Sequence, residues 1–280
     1  MISIKDFSFQ YKNSKTPAIK GVNLNIEDAD FVGITGTSGA GKTTLTFALN
    51  GIIPHKITGD YYGQILINGK DTVENEAESF AKIVGEVFQD IDSQMVASVV
   101  EDEILFGMEN FGIPHDEIGI RMEKVLRDLG IEDLKDREIS SLSGGQKQKV
   151  AIASILALEP EIIVLDEPTG ELDPESSREI FELLTKLNRE KGITVVIVEQ
   201  KIMLLCEYVK HLVVFDQGVL KFDGTPLDMV DKIVEFKEIG INVPRVAELS
   251  SQLIKDGFYK GSVTLTVDEA EKMVQEVTKK

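Results

Sequence analysis

Cysteine is almost absent from this chain, and basic residues are scarce. Cys206 is the single thiol among 280 residues. One sulfur closes no intramolecular disulfide and builds no multi-cysteine zinc site. Lys and Arg number 30 against 48 Asp and Glu, a formal net charge of −18. Generic nucleic-acid binding needs a basic face to replace phosphate counterions, and electrostatic docking to an anionic leaflet needs the same. The balance argues against both, so no nucleic-acid partner is expected. No apolar run approaches the roughly 20 residues of a membrane helix. The opening residues, Met1-Ile2-Ser3-Ile4-Lys5-Asp6, lack a signal peptide's basic and apolar regions. The chain reads as cytosolic, with any membrane role expected to come through a partner.

What is present is enough apolar residue, 42%, to fill the core of one large domain or a domain with an appendage. The negative charge is concentrated. Residues 71–141 carry 19 acidic and 6 basic groups, a net of −13, while residues 1–70 carry 5 and 7, a net of +2. Residues 2–9 and 21–26 alternate apolar and polar, as half-buried strands do, and 63–67 is a third such candidate closed by Asn68-Gly69. A short apolar run at 30–35 leads through a glycine-rich turn into a helix over 42–50. From 71 to about 142 the pattern is helical. Beyond it, helices at 144–158, 174–191 and 201–209 alternate with strands at 161–165, 193–198 and 211–216, which predicts a parallel sheet with crossover helices. After Pro226 come short helices around Pro244 and a terminal helix over 267–280.

Three constellations carry chemistry. Gly36-Thr37-Ser38-Gly39-Ala40-Gly41-Lys42-Thr43 matches G-x-x-x-x-G-K-[ST], with an apolar strand leading in and a helix leading out. Its glycines let successive amides curl around one phosphate chain at the positive end of a helix dipole. Lys42 is expected to reach the β- and γ-phosphates and the Thr43 hydroxyl to bind Mg²⁺, with Thr44 next to them. The second is Ile162-Ile163-Val164-Leu165-Asp166-Glu167, a doubly buried strand with two carboxylates at its C-terminal end. In open α/β sheets ligands bind at that edge. Asp166 is expected to hold Mg²⁺ through water, and Glu167 to activate an attacking water as general base. The third is Leu142-Ser143-Gly144-Gly145-Gln146 ahead of an apolar-periodic helix, where Ser143 is a natural N-cap and the glycines leave helix amides open to an anion.

Together these motifs resemble the ATP-binding cassette (ABC) ATPases, whose signature is LSGGQ, over roughly residues 1–225. The resemblance implies an α/β fold of P-loop NTPase type: a mixed sheet core, an antiparallel β subdomain, and a helical subdomain over about 90–160. It implies ATP and Mg²⁺ as ligands and a dimer that sandwiches ATP at each site. Tyr11 is similar to the aromatic that stacks on adenine. Gln89 is similar to the Q-loop glutamine that senses Mg²⁺ and the γ-phosphate, and Asp173 to the D-loop aspartate that crosses between the two sites. Ser143, Gly144, Gly145 and Gln146 would then complete the partner's site. Two positions depart from the pattern. Gln200 stands where the family carries the H-loop histidine, and it donates or accepts a hydrogen bond but cannot carry a proton. That leaves two readings, a competent ATPase or a regulatory half with slow turnover. Gly170-Glu171 stands in the D-loop where small residues are usual.

A narrower resemblance lies in Asp92-Ser93-Gln94, followed by V-x-x-[DE]-[IV]-x-F-G-x-x-N over 100–110. This is similar to the ATPases of energy-coupling factor (ECF) transporters, which power vitamin and cobalt or nickel uptake in prokaryotes. It implies a second ATPase subunit, an integral membrane coupling subunit, a substrate-capture subunit and a place on the cytoplasmic face of the membrane. Residues 226–280 are similar to that group's C-terminal extension, a dimerisation region. Part of the acidic charge of 71–141, Glu101 and Glu103 with it, is expected to line the groove that receives the coupling subunit's helices, with opposite charge steering the docking, or else to be a solvated helix face.

Overall fold

The sequence holds two kinds of strand, and they require different surroundings. Strands that alternate need one covered face, whereas strands apolar throughout need two. In the computed structural model, which describes residues 1–279, the alternating strands form an antiparallel sheet. It contains β1 (Ile2–Tyr11), β2 (Ile19–Ile26), β4 (Gly59–Ile67) and β5 (Lys70–Asp71), in the order β2-β1-β4-β5. The other sheet contains β3 (Phe31–Gly36), β6 (Val84–Val87), β7 (Ile162–Asp166), β8 (Thr194–Val198), β9 (His211–Asp216) and β10 (Val219–Gly224), in the order β10-β9-β3-β8-β7-β6. All its pairs are parallel except β9 with β10.

Every residue of β7 and β8 is buried. Their side chains alternate between two cores, as the period of a strand requires. Ile163, Leu165, Val195 and Ile197 join a cluster with the helices, whereas Ile162, Val164, Val196 and Val198 join the antiparallel sheet and the helix Lys42–Leu49. The helical lobe is built from Val100–Asn110, His115–Leu129 and Gly144–Leu156. The longest helix, Pro174–Lys191, has the bounds the sequence predicts. Asp173 caps its N-terminus, proline occupies its first turn, and Gly192 leaves it in the left-handed conformation. Among the described residues no helix is long and apolar enough to cross a membrane.

Three strands were not expected, the first being the two-residue β5 that follows the Asn68-Gly69 turn. The helical reading of 71–142 passes over β6, because Gly85 and Glu86 break its four-residue apolar pattern; the Cβ that Gly85 lacks would stand 2.1 Å from Ile155 Cγ2. β10 returns along β9 through a two-residue turn, Gln217-Gly218, with positive φ at both positions. That hairpin is what makes the sheet mixed. The segment after Pro226 packs onto the cassette. Met229, Phe236, Val243, Ala247 and Leu265 are buried in the same cluster as the sheet, and Phe236 meets Phe222 of β10 edge-on at 5.5 Å. The terminal helix is Val267–Thr278, and Lys280, its expected end, lies outside the described residues.

The expectation for Glu103 needs correction. It is buried, and its Oε2 accepts hydrogen bonds from Val96 N and Ala97 N, both at 2.8 Å. It fastens the loop ahead of its own helix and faces no groove. Glu101 is more exposed and pairs with Lys135 at 3.1 Å.

Glu86 is the other buried carboxylate of this region. Neither of its oxygens has a hydrogen-bond partner, the nearby Thr46 hydroxyl donating to Thr43 O, and burial, opposed by that hydroxyl and reinforced by the charge of Asp166, pushes its carboxyl up to about 8. The unfolded chain releases this proton near pH 4.3 while the folded chain keeps it. Stability is therefore lost as pH rises from about 4.3 toward 8, on the order of 3 kcal/mol by pH 7. Glu86→Gln should raise stability at pH 8 by more than at pH 5, measured by urea unfolding at the two values. Equal effects at both would show that Glu86 is ionised in the native state.

Candidate functional site

The C-terminal ends of three adjacent parallel strands lie level. Val198 of β8 pairs with Ile34 of β3 on one side and with Asp166 of β7 on the other. Whatever follows these strands therefore converges at one edge of the sheet. β3 runs into the glycine-rich loop, β7 into Glu167, and β8 into Glu199-Gln200.

The loop 36–43 is held by its backbone. Gly41 has φ +98°, and a Cβ there would lie 2.4 Å from Ala18 O, so no other residue fits. Thr37 Oγ1 donates to Asp216 Oδ1 at 2.9 Å, which fixes the loop to the end of β9. Lys42 is buried, and its Nζ donates to Gly36 O at 3.1 Å and Thr37 O at 3.0 Å, crossing the concavity where a phosphate would lie. The Tyr11 hydroxyl bonds the Thr44 hydroxyl at 2.9 Å. A cavity of about 370 Å³ opens here, and it gathers Tyr11, residues 38–44, Gln89, Glu167 and Gln200.

Asp166 is buried, and burial raises its carboxyl above the usual carboxylate range. The Thr43 hydroxyl beside it pulls the other way, ahead of the opposed charges of Glu167 and Lys42. Glu167 turns out of the strand with φ +48°, a conformation that side chains rarely adopt, while its amide donates to Val198 O at 2.9 Å. The turn brings its carboxylate between two amides. Gln200 Nε2 donates to Oε1 at 2.7 Å and Gln89 Nε2 to Oε2 at 3.3 Å. Two residues 111 positions apart in sequence thus hold the two oxygens of one carboxylate. The Thr43 hydroxyl and Asp166 carboxylate are hard oxygen donors of the kind Mg²⁺ takes alongside nucleotide phosphates and water. Among the described residues no cluster of three or more His, Cys, Asp or Glu forms a cage for a metal, so the fit is to an ion brought with phosphates.

The signature residues do not join this cavity. Ser143 and Gln146 form a reciprocal capping box at the start of Gly144–Leu156, with Gln146 N to Ser143 Oγ at 3.3 Å and Ser143 N to Gln146 Oε1 at 3.0 Å. Ser143 and Gly144 are exposed. Asp173 is also exposed, and its carboxylate accepts from Glu175 N and Ser176 N, both at 3.0 Å. Beside the phosphate cavity a wider cleft of about 820 Å³ runs from Gln89, Glu167 and Gln200 to Gly144. Gly170 of the departing D-loop pair sits against the turn, donating its amide to Glu167 O at 3.1 Å.

Sequence reasoning missed Glu199, Lys201 and Gln148. Glu199 is buried and bonds Thr169, while Lys201 reaches the backbone of the same loop. The signal available was two charges at the mouth of a doubly buried strand, where an unpaired charge is costly. Gln148 is fully buried on the signature helix, lines the wider cleft, and has no partner for either amide atom.

Comparison with known proteins gives this geometry a family. The model of the family described as ABC transporter matches residues 19–170. The energy-coupling factor transporter ATP-binding protein EcfA1 of Caldanaerobacter subterraneus is 39% identical over 274 residues, covering 96% of each chain. Among solved structures, cbiO1 of Clostridium perfringens, part of the ABC transporter complex cbiONQ, superposes with a TM-score of 0.76 at 33% identity, covering 89% of this chain and 97% of that one. The ATP-binding cassette MJ0796, in a dimeric post-hydrolysis state with ADP and Pi, superposes with a TM-score of 0.69 at 28% identity, covering 80% and 98%. With the family model matched across more than half of it and an ECF relative aligned along nearly all of it, the chain belongs to the ABC transporter ATP-binding proteins and is an ATPase similar to those of ECF type.

Proposed function

We propose that this chain is the ATP-hydrolysing subunit of an ECF-type importer of a vitamin or a transition-metal ion in a prokaryote. The observation that carries the chemistry is the Glu167 carboxylate, held by Gln89 and Gln200 at the edge of the cavity formed by the phosphate loop. The names of the relatives support the transport setting. In this reading the chain works as a dimer, with itself or with a second ATPase subunit. It sits on the cytoplasmic face of the membrane against an integral coupling subunit, and a separate subunit captures the substrate.

The roles follow from position. The amides of residues 36–43 and the Lys42 ammonium cradle the phosphates. On binding, Lys42 leaves Gly36 O and Thr37 O for the β- and γ-phosphate oxygens. Tyr11, beside Thr44, stacks on the base. Thr43, Asp166 and Gln89 would hold Mg²⁺, whose chemistry there is neutralisation of charge on the transferring phosphoryl group. Glu167 takes a proton from the attacking water. Gln200 and Gln89 fix the orientation of that carboxylate, and Gln200 itself carries no proton. Ser143 and Gly144, exposed, and Gly145 and Gln146, half-buried, all lie away from their own phosphate loop and offer helix amides to the partner's nucleotide, and Asp173 reaches toward the same interface. ATP drives the cycle because it binds the closed dimer better than ADP does.

Glu167→Gln should lower phosphate release by the purified chain by about 100-fold or more, with binding of a fluorescent ATP analogue retained. Wild-type turnover in that variant would remove Glu167 from the role of base. The reading of a regulatory half rests on Gln200, whose amide cannot replace imidazole as a proton carrier. Single-turnover hydrolysis by Gln200→His separates the two. A competent ATPase should change by less than about threefold, whereas a gain of about tenfold (1.4 kcal/mol of barrier) would assign the chain to the regulatory half.

A further inference from the structure

The residues on either side of Gln200 grip one loop. Glu199 is 1% exposed, and its Oε2 accepts from Thr169 Oγ1 at 2.9 Å and Thr169 N at 3.3 Å. Its Oε1 accepts from Gln200 N at 3.1 Å and Lys201 N at 3.4 Å. Lys201 Nζ donates to Thr169 O at 2.6 Å, to Leu172 O at 3.0 Å and to Ser177 Oγ at 2.8 Å. An ammonium has three donors, and all three are committed to this loop and the helix that follows it. The loop is gripped from its far side as well. A Cβ on Gly144 would lie 3.2 Å from Leu172 Cδ2, and one on Gly145 would lie 3.3 Å from Ser176 Cβ, so Gly144 packs on the loop and Gly145 on the first turn of the helix after it.

These contacts form one connected series. It starts at Glu167 Oε1, passes to Gln200 at 2.7 Å, then through Glu199 and Lys201 to residues 169–172, and ends at Gly144. We propose that Glu199 and Lys201 are positioning residues that make Gln200 and the loop 168–173 move as one body, and so tie this chain's own hydrolysis site to the surface it presents to its partner's nucleotide. This rests on the function proposed above. The backbone at Gln200 cannot shift while the loop stays still without breaking several hydrogen bonds, most of them to a charged group and therefore among the stronger kind. A change at the γ-phosphate is thereby felt at Leu172 and at the signature helix. The two ATP sites of a dimer are then coupled through each chain, besides any contact across the interface.

Removal of this grip should cost cooperativity and turnover before it costs nucleotide binding. Lys201→Met keeps the apolar stem and deletes the three donors, Lys201→Arg restores donors to the same place, and Glu199→Gln deletes one charged acceptor without changing shape. Phosphate release by the purified chain against ATP concentration should show a Hill coefficient above 1 in the wild type. In Lys201→Met and Glu199→Gln it should fall toward 1, with kcat down about tenfold and affinity for a fluorescent ATP analogue within about threefold, since the ligand contacts remain. Lys201→Arg should recover most of the loss. Leu172→Ala, which breaks the next link, should add little to Lys201→Met in a double-mutant cycle, whereas independent sites would add. Thermal unfolding identifies a variant that has failed to fold, in which case the Glu199→Gln and Lys201→Arg pair decides. The proposal is overturned by a wild type that hydrolyses ATP without cooperativity, by unchanged kcat and Hill coefficient in Lys201→Met, or by additivity with Leu172→Ala. A wild type that hydrolyses no ATP would instead overturn the function on which it rests.

Discussion

Parallel pairing among β3, β8 and β7 is the constraint on which the site depends. These strands are buried on both faces, so a shift of one residue would send each side chain into the opposite core. Their register is therefore fixed by apolar packing far from any ligand. Polar residues at their ends inherit that precision: the glycine-rich loop from one strand, Asp166 and Glu167 from the next, Glu199 and Gln200 from the third. The site needs no rigidity of its own, because it is the terminus of three elements that cannot slide. At Glu167 the backbone accepts an unfavourable φ, and the amide-to-Val198 hydrogen bond holds it there.

How much of this was legible depends on whether the signal was local. The strand, glycine-rich loop and helix over 31–49, the apolar strand ending at Asp166, and the helix bounded by Asp173-Pro174 and Gly192 all carry their cause within a few residues, and these elements stand where the sequence places them. β6 was not legible, because a four-residue strand with a glycine and a buried glutamate has no pattern of its own; β7 beside it makes it a strand. β10 depended on an unfamiliar pair of turn residues, Gln217-Gly218. The grip of Glu199 and Lys201 on residues 169–177 joins positions about thirty apart, and its partners are mostly backbone atoms, which no side-chain motif encodes.

Charge illustrates the same limit. The excess of acid in 71–141 is a fact of composition, but composition treats every carboxylate alike. Glu103 serves as a cap for two loop amides, Glu86 lies in the core, and Glu101 pairs with Lys135. Asp92 meets Lys147 of the signature helix at 2.6 Å, linking the segment after Gln89 to the helical lobe. The charge left to face a partner is smaller than the sum along the chain, and it is distributed by the fold rather than by the sequence.

The close packing of Gly144 and Gly145 on Leu172 and Ser176 has a consequence for how this family can vary. In the proposed function the amides of Gly144 and Gly145 face a partner's nucleotide, while a Cβ on either would press on a neighbouring side chain that must then give by a few tenths of an ångström. A substitution there is opposed twice, by unrelated requirements, and compensation at one contact leaves the other unmet. In this chain the packing of the pair is set from within the molecule, by Leu172 and Ser176, before any nucleotide arrives.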